Sequence, residues 1–205
     1  MYHFRVSGTI IDQIVRDHLA PALKAEGFTR KGRTFRKPAG NGDAVLIEVQ
    51  LSDGSRRDEA RFYLNISVLS QPWLAWLNTA DGPVDTDEAE AGDGSVRDRI
   101  RSPENPEWYQ DTFTAGRDDV ATVGASAVDA VRSSLPDYLS LLDRSRLLTL
   151  LRDEAPIPGS CNRLAVRAVL AADAGEAETA RRDAAEVDRY ADDTEFIDWI
   201  ERRLR

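Results

Sequence analysis

Side chains that commonly carry chemistry are scarce in this sequence of 205 residues. It contains one cysteine, Cys161, and two histidines, His3 and His18. One cysteine cannot form an internal disulfide or a cysteine-rich zinc site, and the sequence offers no Ser-His-Asp arrangement and no metal-ligand spacing. We therefore predict no catalytic residue, no metal site and no cofactor, and this absence favours a non-catalytic protein.

Positive charge is in the minority. The 27 Lys and Arg residues stand against 36 Asp and Glu residues, which gives a net charge of -9 at pH 7. Because phosphate binding needs a surplus of positive charge on one face, this balance argues against nucleic acid as a partner. Long apolar runs are also missing, since Asn65, Gln71 and Asn78 interrupt the charge-free segment from Phe62 to Ala80. With no apolar signal-peptide run after Met1, we expect a cytoplasmic protein that does not enter a membrane.

Hydrophobic periodicity predicts a long helix on each side of a central region. Apolar residues recur at three- and four-residue spacing from Thr9 to Glu26, where Pro21 predicts a kink. The same pattern returns from Asp118 to Leu135. A run of prolines and glycine at 156–159 then marks the best internal boundary, and the pattern beyond it is helical.

The central region has the period of β-strands. Alternate positions are apolar from Val45 to Leu51 and again from Phe62 to Val68, and the polar connection between them predicts antiparallel pairing. Segments around Phe35 and at 96–113 are expected to complete the sheet. The acidic, glycine-containing residues 81–94 are interpreted as a mobile surface loop.

These patterns predict an α+β fold. Residues 1–155 should form one domain, in which an antiparallel sheet of about four strands packs against two long helices. Residues 156–205 should form a helical C-terminal extension that packs on the first domain.

The polar positions of the two central strands form our candidate binding site. Because side chains alternate between the faces of a strand, these positions lie opposite the apolar ones, and three arginines of the following segment are expected beside them. Polar groups on rigid strands suit recognition of a partner or small ligand, although an antiparallel sheet often leaves one face simply solvated. The candidate residues are Glu48, Gln50, Tyr63, Asn65, Arg97, Arg99 and Arg101, with Ser67 on the same face.

A dense basic run lies at 30–37, without an acidic residue between Glu26 and Asp43. It could meet phosphate or an acidic partner. The favoured interpretation is structural, because charged residues commonly protect a short edge strand from aggregation.

The order of several motifs carries a family resemblance. A helix ending at Gly27-Phe28 is followed by Gly32-Arg-Thr-Phe35, Val49-Gln50 and Leu64-Asn65-Ile66, and then by Trp108 and a helix reaching Leu135-Pro136. In this order the sequence resembles the domain-of-unknown-function family 4304 over about residues 4–153. The resemblance implies an α+β domain of largely bacterial proteins with no assigned activity, some of them associated with toxin–immunity neighbourhoods. Residues 163–180 are also similar to a single tetratricopeptide helix pair.

Two hypotheses for function follow. The first is a bacterial, non-catalytic protein-binding module, with an immunity-type protein as one form; its partner is another protein, not nucleic acid or a membrane. The alternative is a small-molecule-binding or enzymatic domain that uses the polar sheet face. The sequence leaves the oligomeric state open.

Overall fold

The structure is a computed structural model that describes residues 3–56, 58–81, 88–103, 111–191 and 194–205. Its helices are α1 (His3–Ile14), α2 (Ala20–Ala25), α3 (Gln71–Asp81), α4 (Val120–Ser140), α5 (Arg144–Arg152), α6 (Arg163–Asp173), α7 (Ala177–Ala191) and α8 (Thr194–Arg203). Its strands are β1 (Thr29–Lys31), β2 (Thr34–Pro38), β3 (Ala44–Leu51), β4 (Glu59–Leu69), β5 (Val96–Arg99) and β6 (Phe113–Gly116). None of the described helices is both long and apolar enough to cross a lipid bilayer.

The strands form one antiparallel sheet in the order β1-β2-β3-β4-β5, and β6 also pairs with β4. Strand β4 has 11 residues, so its outer edge holds β5 along residues 65–68 and β6 along residues 59–62. The α+β class and the antiparallel pairing are confirmed. The expected number of about four strands is wrong, because the described residues form six; β1 and β6, with three and four residues, are too short to show alternation in the sequence.

The main core lies between the sheet and the two predicted long helices. Val45 and Ile47 of β3 and Phe62 and Leu64 of β4 have no solvent exposure on this face. Helices α1 and α4 cover them. Burying each such side chain contributes about 1.5–3 kcal/mol, so the apolar alternation of these strands specifies which face is covered.

The first helix changes its winding before Pro21. Residues Val15–Leu19 form a π-helical turn, which ends where the N–H of Ala20 donates to the carbonyl of Val15. Proline has no N–H for the preceding turn, which explains why the irregularity lies immediately before it. Helix α4 approaches this turn closely, because a Cβ at Gly124 would lie 2.4 Å from Cδ2 of His18. His18 therefore packs against a helix.

Helix α3 was not recognised in the sequence. It follows β4 directly, and the N–H of Gln71 at its start donates to the buried carboxylate of Asp43 at 2.8 Å. The ring of Trp76 packs edge-on against Phe196 and Trp199, with centroids 4.8 and 5.9 Å apart. The predicted C-terminal helices are present, and α3 is one of the elements on which they pack.

An ion-pair chain joins the sheet to the C-terminal helices. Arg144 donates to both oxygens of Asp43 at 2.6 and 2.8 Å and to Asp173 of α6 at 3.0 Å. Arg203 of α8 donates to the other oxygen of Asp173 at 2.7 Å. Because Asp43 is buried, this pairing is what makes its charge tolerable inside the protein.

Residues 88–95, which we call the strap, lie across the second face of the sheet, opposite α1 and α4. Ala89 and Ala91 are 3% and 5% exposed, and Ala89 packs with Leu46, Leu69 and Leu74 in a second small core. The interpretation of 81–94 as a mobile loop is therefore wrong for residues 88–94, because two small apolar residues anchor an otherwise acidic segment. Residues 82–87 of that segment, and residues 104–110 of the predicted strand region, lie outside the described residues.

Candidate functional site

The predicted site residues come together on the second face of the sheet. The strand register places Glu48 of β3 opposite Asn65 of β4, and Asn65 opposite Arg99 of β5. Gln50 lies opposite Tyr63 in the next row. These residues form the floor and one side of an open cleft.

The cleft has a volume of about 1050 Å³. The strap forms one wall through Glu90, Ala91 and Gly92. Six of the seven predicted residues line the cleft, namely Glu48, Gln50, Asn65, Arg97, Arg99 and Arg101, together with Ile66, Asp98, Asp111 and Ser160. The seventh, Tyr63, touches the cleft through Arg99.

Arg99 is held from two sides. Its guanidinium lies 4.0 Å from the centroid of the Tyr63 ring, and its Nη1 donates to Oδ2 of Asp111 at 2.9 Å. Stacking on an aromatic ring and pairing with a carboxylate both restrict the side chain, which lowers the entropy lost when it binds a further group.

The other two arginines differ in their freedom. Nη1 of Arg97 donates to the carbonyl of Gly92 at 2.8 Å, which ties it to the strap. Arg101 is exposed and forms no hydrogen bond or ion pair with any residue that the structure describes. Of the three arginines of the cleft, Arg97 and Arg99 are therefore held by neighbouring residues, whereas Arg101 has no partner in the described part of the chain.

An amide pair forms part of the floor. Nδ2 of Asn65 donates to Oε1 of Gln50 at 2.9 Å, across the β3–β4 pair. Gln50 is exposed and Asn65 is partly buried. Because the Asn65 amide also donates to Glu48, the pair leaves the Oδ1 acceptor of Asn65 and the Nε2 donors of Gln50 for a ligand.

The corner between β3 and the strap is negative. Burial and the nearby carboxylate of Glu90 raise the pKa of Glu48, and hydrogen bonds from the Ala91 backbone and the Asn65 side chain partly oppose this rise. Two other acids of the cleft also have partners: Asp111 pairs with Arg99 of the cleft itself, and Asp98 accepts a hydrogen bond from the hydroxyl of Tyr138 at 3.0 Å.

Only part of the second face is open. Leu46, Ser67 and Leu69 are buried, because α3 and the strap cover that end of β3 and β4. Ser67 therefore does not belong to an accessible polar face, contrary to the sequence analysis. Glu48, Gln50, Tyr63 and Asn65 lie beyond the cover and remain accessible.

The basic run has partners within the chain. Arg33 pairs with Asp12 at 2.8 Å, Arg36 donates to the carbonyl of Ala89 at 2.9 Å, and Lys37 donates to that of Glu26 at 2.7 Å. Arg30 donates to the carbonyl of Gly32 at 2.7 Å, and Lys31 lies 3.9 Å from a carboxylate oxygen of Glu88. These contacts favour the structural interpretation of the run.

The single cysteine, Cys161, is partly buried and is not part of a disulfide. Burial raises the pKa of Cys161, which favours the neutral thiol. Within the described ranges, no group of three or more His, Cys, Asp or Glu side chains has an arrangement suited to a metal ion.

Sequence reasoning missed Glu90 and Asp111 of the cleft. Glu90 comes from the strap and Asp111 from the residues before β6, so neither belongs to a strand whose alternation could have placed it. Acidic residues close to a predicted sheet were the available signal, but they are common in this sequence.

Comparison with known families matches residues 19–131 to the sequence model described as Domain of unknown function (DUF4304). The chain belongs to this family. The DUF4304 match covers β1 to β6, the strap and the first half of α4, and is narrower than the expected 4–153. Comparisons with curated proteins and with solved structures found no match. The cleft floor and β5 therefore lie within the DUF4304 region, whereas Ser160 and α5 to α8 lie outside it.

Proposed function

We propose that this protein is a non-catalytic protein-binding module, and that its cleft holds an acidic segment of another protein. The observation that carries this proposal is the pair of arginines on one side of the cleft. Arg99 is fixed by Tyr63 and Asp111, and Arg101 is exposed beside it. Guanidinium groups bind carboxylates through directional, charge-assisted hydrogen bonds, so two of them in one row favour an acidic ligand.

The shape and chemistry of the cleft favour a protein over a small molecule. Small-molecule sites are mostly apolar and enclose most of their ligand. This cleft is open, and carboxylates, amides and guanidinium groups make up most of its lining. Such a polar, solvent-accessible surface is typical of the outer part of protein interfaces.

The negative corner between β3 and the strap restricts which side chains of the partner can bind there. Burial, and after it the carboxylate of Glu90, raise the pKa of Glu48, so a further negative charge at this corner is unfavourable. An acidic side chain is disfavoured there, whereas an amide or a positively charged group is favoured. The segment we expect therefore places its acids at Arg99 and Arg101 and a neutral or basic side chain at the corner.

An immunity-type role in a bacterial cytoplasm is one form of this proposal. An immunity protein binds a toxin without reacting with it, and the sequence resemblance implies such neighbourhoods for part of the family. The similarity of the C-terminal helices to a tetratricopeptide pair would add a second binding surface, and we keep it as part of the proposal. The cleft is the surface that we assign to the main contact.

Isothermal titration calorimetry with hexaglutamate at low ionic strength tests the proposal. Hexalysine, free glutamate and inorganic phosphate serve as comparison ligands. We expect hexaglutamate to bind, hexalysine and the two small anions to bind much more weakly, and affinity to fall as salt is added.

Matched variants locate the binding. Arg99→Gln with Arg101→Gln should weaken hexaglutamate at least about tenfold, since each lost charged contact is worth about 1.5–3 kcal/mol. Arg117→Gln with Arg146→Gln makes the same change in net charge at two exposed positions outside the cleft and should have little effect. Equal losses in both double variants would contradict the proposal. Free glutamate or phosphate binding as tightly as the peptide would favour the small-molecule alternative.

A further inference from the structure

The outer edge of β5 is paired at one position by the chain itself. The N–H of Arg97 donates to the carbonyl of Ser160 at 2.9 Å, and the N–H of Ser160 donates back to the carbonyl of Arg97 at 2.7 Å. The two residues form an isolated antiparallel bridge. Among the described residues, Ser160 pairs with this edge of β5 at Arg97, and Gly159 lies close to the backbone of Arg97 as well.

Beyond Arg97 the edge continues without a strand. The N–H of Ile100 donates inward to Leu64 of β4 at 2.8 Å, so the alternation of strand hydrogen bonds directs the backbone groups of Arg99 and Arg101 outward. The N–H of Arg99 is bonded to the side chain of Asp98 at 2.8 Å. No strand of the described part of the chain pairs with these outward groups.

The edge has space on both sides. The cleft lies on the polar side, where the side chains of Arg99 and Arg101 project. On the other side a second groove of about 650 Å³ runs between β5 and α4, and its lining includes Asp129, Ser133 and Asp137. A strand added to β5 would have room for side chains on the cleft side, and on the other side it would share the groove with Pro158, which also lines it.

We propose that the partner's acidic segment binds by strand addition to β5, next to Arg99 and Arg101 and beyond the position of Ser160. This inference rests on the proposed function, because it uses the same acidic partner. Residues two apart in a strand are about 6.6 Å apart, so alternate side chains of the segment match the spacing of Arg99 and Arg101. The intervening side chains face Asp129 and Asp137, which disfavour acids.

The inference predicts a sequence pattern in the partner. Acidic residues should occur at every second position, with neutral or basic residues between them. Two peptides of equal composition test this pattern by calorimetry: one alternates Glu and Thr, and the other has Glu-Glu-Thr-Thr repeats. We expect the alternating peptide to bind about tenfold more tightly, because only its acids all face the arginines. Equal affinities would overturn strand addition.

The backbone contribution is tested by amide-to-ester replacement in the alternating peptide. In a strand, every Glu N–H points to one side and every Thr N–H points to the other, so only one set can bond to β5. Esters at one set should weaken binding at least about tenfold, and esters at the other set should have little effect. Equal effects of both sets, or no effect of either, would also overturn strand addition.

Hydrogen exchange provides a readout on the protein. Bound alternating peptide should slow exchange of the Arg101 amide, whereas amides of β1, the opposite edge of the sheet, should exchange as before. Unchanged exchange at Arg101 in the saturated complex would contradict the inference. Failure of every acidic peptide to bind would instead refute the proposed function, so the two failures are distinguishable.

Discussion

The two halves of the second sheet face are built from the same two strands, but one half is buried and the other is open to solvent. In one half, Leu46, Ser67 and Leu69 are buried beneath α3 and the strap. In the other half, Gln50 and Asn65 are bonded to each other in an open cleft. Strand alternation assigns all of these residues to one face, but the segments that follow β4 decide which of them meet solvent.

We expect the covered half to contribute to the stability of the fold and the open half to contribute to binding. The covered half buries apolar side chains and contributes to folding, because each one removes apolar surface from water. The open half exposes fixed polar groups and contributes little to the core. Substitutions in the two halves should therefore have opposite consequences.

The largest effect is expected for Leu46→Ala in the covered half. Leu46 is fully buried, so the substitution leaves a cavity and should reduce the free energy of unfolding by about 2–5 kcal/mol. Urea denaturation measures this loss. Hexaglutamate affinity of the folded variant should stay the same. A loss below about 1 kcal/mol would show that the cover of this half is loose.

The next effect concerns the position of the strap. A Cβ at Gly94 would lie 2.6 Å from Cβ of Ser67 and 2.9 Å from the carbonyl oxygen of Val96. The φ of Gly94 is -64°, so Gly94→Ala adds this steric conflict without backbone strain. We expect a loss of about 1–3 kcal/mol in urea denaturation.

Gly92→Ala is the matched control for the strap. A Cβ at Gly92 would meet no atom within 4 Å, so this variant should unfold close to the parent. Equal behaviour of the two variants would contradict the close contact between the strap and β4.

A smaller stability effect is expected in the open half. Gln50→Ala with Asn65→Ala removes both partners of one accessible hydrogen bond and the contact from Asn65 to Glu48, which together should cost about 1 kcal/mol. The same double variant should weaken hexaglutamate binding, whereas Gln13→Ala, at an exposed position on α1, should not. A large stability loss without a binding defect would assign these amides to the structure alone.

The smallest effect on stability is expected for Glu48→Gln, and this effect should depend on pH. Burial and the neighbouring Glu90 raise the pKa of Glu48 in the folded protein above its unfolded value. The folded state then binds this proton more tightly, so stability falls as pH rises between the two pKa values and stays reduced at neutral pH. Glu48→Gln should therefore be slightly more stable than the parent at pH 7. Melts at about pH 3, where Glu48 is protonated in both states, should show no difference; a loss of stability at pH 7 would contradict this account.

The alternation of apolar and polar residues predicted those strands in which successive side chains are buried and exposed in turn. The buried faces of β3 and β4 and the opposite positions of Gln50 and Asn65 follow directly from it. The amphipathic patterns of α1 and α4 were equally clear. These elements are long enough for a period to be recognised.

The missed elements are short or depend on tertiary contacts. Strands β1 and β6 have too few residues for a pattern, and α3 continues an apolar stretch that β4 begins. The strap resembles a loop in composition, and its position is determined by its contacts with the sheet. Its wall of the cleft, including Glu90, therefore could not be predicted from the sequence.

The most direct test of the account is an NMR titration of the isotope-labelled protein with hexaglutamate. We predict that the shifted backbone amides cluster at Asn65, Arg99 and Arg101, in the open half of the second face. The amides of the covered half and of the basic hairpin at 29–37 should change little. Shifts centred on that hairpin, or an identical response to free glutamate, would contradict the assignment of the cleft as a site for an acidic protein segment.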